Sequence, residues 1–186
     1  MWRQREFWLV SGFTLAVFAS RSGGQGTLLP LFGFDRLRLD ESALGLAFTV
    51  LMAFNVGAIY LSGVLSDRFG RKAAIVPGGL LTALALLLLP ASSGVILFFG
   101  LCALFGLGIG IAGPAPAAFI ADIAPPERLA STMGLYRMIA DLGLMGGPVL
   151  FGWIVESSGY AAGFFANAAV IGVAALAFAL AVREGR

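Results

Sequence analysis

Residues Gly63–Lys72 read GVLSDRFGRK, and this stretch decides the fold. It is the densest cluster of charge in a very apolar chain, set between one apolar run that ends near Leu65 and another that starts at Ala73. Asp67, Arg68, Arg71 and Lys72 would each cost on the order of 2.5–3.5 kcal/mol at the centre of a membrane helix. The stretch therefore reads as a tight, water-exposed turn between two membrane helices. Gly70 is placed to let the backbone reverse. Gly63 is placed to let the preceding helix pack closely on a neighbour.

Composition agrees. The chain of 186 residues is 59% hydrophobic and 12% charged, against roughly 25% charged in a soluble domain. The apolar runs are about twenty residues long, the length of helical spans and not of barrel strands. With no histidine and one cysteine, Cys102, the chain has no disulfide framework and no Cys/His metal set. The expected class is an all-α membrane protein in the lipid bilayer. The run from Phe7 to Ser20 behind Arg3 and Arg5 has some look of a signal peptide, but it continues to Leu31 without a small-x-small cleavage site and reads as a span.

Six spans are predicted, at Phe7–Leu31, Ala43–Leu65, Ala73–Leu89, Val95–Ala121, Leu129–Val155 and Tyr160–Val182. Between the first two, Phe32–Ser42 carries Asp35, Arg36, Arg38, Asp40 and Glu41 and reads as a wet loop. Six spans put both termini on one side, with Arg3, Arg5, Arg68, Arg71, Lys72, Arg128, Arg183 and Arg186; the other side has only Arg36 and Arg38. The positive-inside rule makes both termini cytoplasmic and the location the cell (inner or plasma) membrane. Small residues recur at close spacing: Gly45, Thr49, Ala53 and Gly57 in the second span, Gly106, Gly110 and Pro114 in the fourth, Gly143 and Gly147 in the fifth. Such stripes let helix backbones approach. The Gly/Pro-rich ends of the first and fourth spans echo each other, as in transporters built from two inverted three-helix units, here about 7–91 and 95–182.

The pattern Gly63-x-x-x-Asp67-Arg68-x-Gly70-Arg71-Lys72 between a second and a third helix resembles the signature loop of the major facilitator superfamily. Asp122-x-x-Pro125-Pro126-Glu127-Arg128 resembles that family's loop between the fourth and fifth helices of a half. Gly143-x-x-x-Gly147-Pro148-x-x-x-Gly152 resembles in part the Gly-Pro motif of its drug–proton antiporters, with Phe151 where that motif has a glycine. The resemblance implies one six-helix half of a twelve-helix transporter. Leu104 stands where the N-terminal half of proton antiporters has an arginine, and Tyr136-Arg137-x-x-x-Asp141 looks more like the C-terminal half. It further implies alternating access, proton-coupled efflux of drugs or metabolites, and a second half as partner, either the missing part of the same chain or a second copy. Metabolite or sugar uptake, and a stand-alone half that assembles without transporting, remain as rival readings. In the signature loop the resemblance implies that Asp67 contacts a neighbouring helix N-terminus while Arg68 and Arg71 pair with acids, for which Asp122 and Glu127 are available.

Polar residues inside the spans are the other candidates. Arg137 and Asp141 are four apart, share a helix face and can pair. An ionisable group at that depth is either a proton carrier or half of a static ion pair. Arg21 and Gln25, also four apart, either hold an anionic substrate group or act structurally, with Asp141 as a partner for Arg21. Asn55, Tyr136 and Asn167 are candidates for the substrate cavity or for bonds between helices. No nucleophile elbow or phosphate loop is present, and Gly106-x-Gly108-x-Gly110 lies inside an apolar span. The sequence thus points to a transporter of small molecules and protons, not an enzyme, with no cofactor, no metal and no nucleic-acid partner.

Overall fold

The computed structural model describes residues 2–182, with side chains from Arg5 onward. Arg3, Arg183 and Arg186 therefore fall outside the described side chains. The described residues form six helical rods and no strand. The first rod joins α1 (Trp2–Ala19), a π-helical segment (Ser20–Leu28) and α2 (Leu29–Asp35). The second is α3 (Glu41–Phe69); the third is α4 (Lys72–Leu88), closing in a 3-10 turn, Leu89–Ala91. The fourth joins α5 (Val95–Ala112) and α6 (Ala115–Ile123). The fifth and sixth are α7 (Leu129–Ser158) and α8 (Tyr160–Ala181). The second to sixth rods are long and apolar enough to cross a membrane. The first is the least apolar of the six, because Arg3, Arg5 and Glu6 open it and SRSGGQGTL fills its middle.

α3 packs on α5, α4 lies between α5 and α8, and the first rod packs on α7 and α8. Exchanging the first three rods with the last three maps this pairing onto itself. The close crossings are made by glycines. A Cβ on Gly106 or Gly110 would collide with the carbonyls of Leu51 or Asn55 in α3. Around them sits an aromatic core in which Phe32 meets Phe98, Tyr160 and Phe164, and Phe178 meets Phe13 and Phe119.

Three features differ from the sequence expectation. The first helix runs on to Asp35, because Phe32 is buried among those rings, and the loop shrinks to about Arg36–Asp40. Asp40 then caps α3 by accepting the Ala43 N–H at 2.8 Å. The fourth rod is broken at Gly113–Pro114, since Pro114 and Pro116 have no N–H for the carbonyls of Gly110 and Ala112. The small-residue stripe of α3 is not used inside the bundle. Gly45, Thr49, Ala53 and Gly57 are exposed, because α3 buries the opposite face, from Leu44 and Leu51 through Asn55 to Ser66. Gly63 shares the exposed side: a Cβ there meets nothing within 4 Å. Gly70 does behave as expected, with φ 89° at the turn between α3 and α4.

Candidate functional site

At the end of the bundle that carries the signature turn, Arg71 is the hub. It opens α4, and its guanidinium reaches three acceptors. Nε donates to Asp122 Oδ2 at 3.0 Å, and Nη1 donates to Ser66 Oγ at 2.8 Å and to Asp67 Oδ1 at 3.3 Å. One planar cation thus ties the end of α3, the start of α4 and the end of α6, a fork geometry that lysine does not offer. Side-chain exposure is 29% for Arg71, 56% for Asp122 and 75% for Asp67. Exposed pairs contribute only about 0.2–1 kcal/mol, so this tie adds little to the stability of the bundle. Lys72 donates from Nζ to the Val182 carbonyl at 2.9 Å, tying the same turn to the end of α8.

Arg68, Glu127 and Arg128 are exposed, and among the described residues none forms an ion pair. The expected pairing of acids with Arg68 is therefore not formed; Arg71 takes Asp122 because it starts α4 directly beside α6. Asp67 faces its own turn and solvent, and among the described residues no helix N–H donates to its carboxylate. Ser66 and Lys72–Val182 were not foreseen as parts of the cluster. The signal for Ser66 was present: Ser62 and Ser66 continue the i, i+4 line from Asn55 and Ala58, and Ser62 donates to the Ile111 carbonyl at 2.7 Å.

The helix 5 motif is a packing seam. A Cβ on Gly143 would collide with the Leu15 carbonyl, and one on Gly147 with the Ala19 carbonyl; Ser22 Oγ would lie 2.6 Å from the latter. Gly23 returns the fit, since its missing side chain leaves room for the buried ring of Phe151 and for the backbone at Gly147. The large residue in the motif is thus matched by a glycine in the first rod. Pro148 lies within α7, which continues through it, and Gly152 meets only Thr27, with 3.9 Å between its would-be Cβ and Thr27 Cγ2.

Of the polar candidates, Arg21, Arg137 and Asp141 are exposed and Gln25 is half-buried. Among the described residues no ion pair joins Arg137 to Asp141 or Arg21 to Asp141. Asn55, Tyr136 and Asn167 lie inside the bundle and not on its open side. Asn55 Nδ2 donates to the Gly106 carbonyl at 3.3 Å, and the Tyr136 hydroxyl lies 3.1 Å from Thr14 Oγ1. Asn167 Oδ1 accepts from Ser20 Oγ at 2.5 Å. At the far end of the bundle, the Tyr160 hydroxyl donates to Asp35, joining the first rod to α8.

These features define an all-α, multi-pass membrane bundle with a charged hub at one end and charged side chains on an open flank. The model of the Major Facilitator Superfamily matches residues 7–186, and the chain belongs to that family. It is 31% identical to the arabinose-proton symporter of Bacillus subtilis (strain 168), over 73% of this chain and 28% of that protein. It is 28% identical to the multidrug transporter protein MdtP of the same organism, over 96% of this chain and 33% of the relative. It is 29% identical to the multidrug resistance protein MdtL of Escherichia coli O81 (strain ED1a), over 81% and 39%. The chain thus spans about a third of the length of these relatives. Among solved structures, the peptide transporter POT in complex with sulfate superposes with a TM-score of 0.81 at 23% identity, over 94% of this chain and 37% of that one. The POT family transporter PepTSo gives 0.78 at 19%, over 95% and 37%. At these identities the structural likeness speaks for the fold alone.

Proposed function

We propose that this chain is one six-helix half, of the C-terminal type, of a secondary active transporter that exports drugs or metabolites by alternating access coupled to protons. One observation carries the reading: Arg21, Arg137 and Asp141 stand exposed within membrane-length rods. Charges at that depth face protein or a water-filled cavity, not hydrocarbon. The first rod and α7, which pack together, therefore present one wall of such a cavity. The exposed small-residue stripe of α3 supplies a smooth face for a second half, from the same chain or a second copy. The exchange symmetry of the rod pairing supports two three-helix units, about 7–91 and 95–182, as the internal repeat. The Arg71 hub, with Asp67 still open to a further donor, acts as the gate on the cytoplasmic side, where both termini lie; the membrane is the plasma membrane.

Asp141 is the proton carrier in this reading. Among the described residues its carboxylate forms no ion pair, which leaves it open to the cavity. The test uses the complete reading frame in inverted vesicles energised by a proton gradient, with a fluorescent lipophilic cation. Asp141→Asn is expected to abolish gradient-driven accumulation and to leave downhill exchange of the cation intact. Undiminished gradient-driven flux in that variant would return Asp141 to a structural role. The 31% identity to an arabinose-proton symporter supports a second reading, sugar uptake, for which labelled pentose counterflow in the same vesicles is the discriminating assay.

A further inference from the structure

The π-helical segment Ser20–Leu28 is the least expected element of the fold, and it leaves specific backbone groups unpaired. π-helices are rare, and long ones rarer. The Leu29 N–H donates to the Gly24 carbonyl, five residues back. Pro30 has no N–H. The two backbone donors within reach of the Gln25 carbonyl are thus one that is taken and one that does not exist. In an α register the Leu29 N–H would serve Gln25, and the carbonyl left over would be that of Gly26. The two registers therefore leave similar numbers of carbonyls idle, so Pro30 does not set the preference between them.

Facing this segment is Asn167 of α8, fully buried. Its Oδ1 is taken by Ser20, at the start of the segment. Its Nδ2 is buried without a hydrogen-bond partner and points at Gly24, where a Cβ would lie 2.9 Å away. An idle buried donor beside a helix with idle carbonyls disfavours the arrangement that keeps both idle. Gly23 and Gly24 offer no side chains to obstruct a rotation of the segment against α7 and α8.

We infer that Asn167 is a positioning residue that sets the register of the first rod: anchored in both registers to Ser20, which precedes the part that turns, it captures a freed backbone carbonyl with Nδ2 when the segment reverts to the α register. The change turns residues beyond the segment by about one position, roughly 100° at 3.6 residues per turn. Gln25 and the C-terminal part of the segment then leave the open flank that Arg21 marks. This deepens the transport reading, since it says how that wall of the cavity alternates, and its test does not depend on flux.

The readout is a crosslink. Thr27 and Gly152 adjoin in the π register, with 3.9 Å between Thr27 Cγ2 and a Cβ built on Gly152, so cysteines at the two positions stand side by side. In the full chain in native membranes, carrying Cys102→Ser, Thr27→Cys and Gly152→Cys, mild oxidation reports the π population as an initial rate. Asn167→Leu removes the α-register capture and is expected to raise that rate roughly fivefold. Asn55→Leu, at another buried asparagine, is expected to leave it unchanged. The inference is overturned if Asn167→Leu leaves the rate unchanged or lowers it, or if Asn55→Leu raises it equally. A positive crosslink result without transport would instead remove the functional reading and keep the switch.

Discussion

Gly147→Ala is expected to abolish the folded bundle, while Gly146→Ala, one residue away, leaves it intact. The contrast rests on where a single methyl group would go. At Gly147 it would enter the Ala19 carbonyl and crowd Ser22, both on the first rod. That contact is with backbone, so neither a rotamer change nor a side-chain shift relieves it. At Gly146 nothing lies within 4 Å. Overpacking of this kind costs about 1–3 kcal/mol when the core can shift, and more when it cannot. Here α7 also holds Gly143 against Leu15 one turn earlier, so the two helices have to part along the whole seam. Fluorescence-detected size exclusion in detergent, on matched membrane fractions, reads the outcome directly. A monodisperse Gly147→Ala peak at the level of the unsubstituted protein would mean that the seam is loose and that its glycines serve another purpose.

Arg71→Lys is expected to be nearly as damaging to transport as Arg71→Ala, although it keeps the charge. The guanidinium reaches Asp122, Ser66 and Asp67 at once from two nitrogens. An ammonium is a point charge and cannot span three acceptors on two helix ends with the fork geometry of a guanidinium. The loss belongs to the cycle and not to the fold, because the hub is partly exposed and its contribution to stability is small. Transport rates in vesicles are therefore expected to fall by at least about tenfold in both variants, with expression and thermal stability close to the unsubstituted protein. If Arg71→Lys transports normally, positive charge at the turn suffices, and the signature loop fixes topology and does not gate.

Much of this was legible in the sequence for physical reasons. Charge cannot sit in hydrocarbon, so Gly63–Lys72 had to be a turn, and Gly70 had to supply the positive φ found there. Hydrophobic length located the spans. Three things were not legible. The π segment has the same apolar and polar periodicity at low resolution as an α-helix with a polar patch, and only hydrogen-bond register distinguishes the two. The face that a stripe of small residues uses depends on which neighbour arrives; in α3 it is the opposite face, from Leu44 to Ser66, that meets α5. Pairing among charges is also decided by which helix ends meet, and so Arg71 and not Arg68 acquired Asp122. Tyr136 and Asn167 read in the sequence as either cavity residues or bonds between helices, and only the arrival of Thr14 and Ser20 from the first rod shows the second arrangement.

The packing of the first rod on α7 and α8 also bears on how the protein is made. Thr14 meets Tyr136 across 122 positions of chain, and Ser20 meets Asn167 across 147. The first rod is thus made before the two helices it packs on, and it is also the one with a polar middle and Arg21. Until α7 and α8 are inserted it has to wait at the translocon or at the bilayer edge, with Thr14 and Ser20 still without their partners Tyr136 and Asn167. α3 and α4 meet α5 as soon as it appears, and only the α8 side of α4 is left waiting. Truncated nascent chains that end before α7 are therefore expected to hold α3, α4 and α5 as a compact unit, with the first rod detached and exposed to membrane chaperones and proteases.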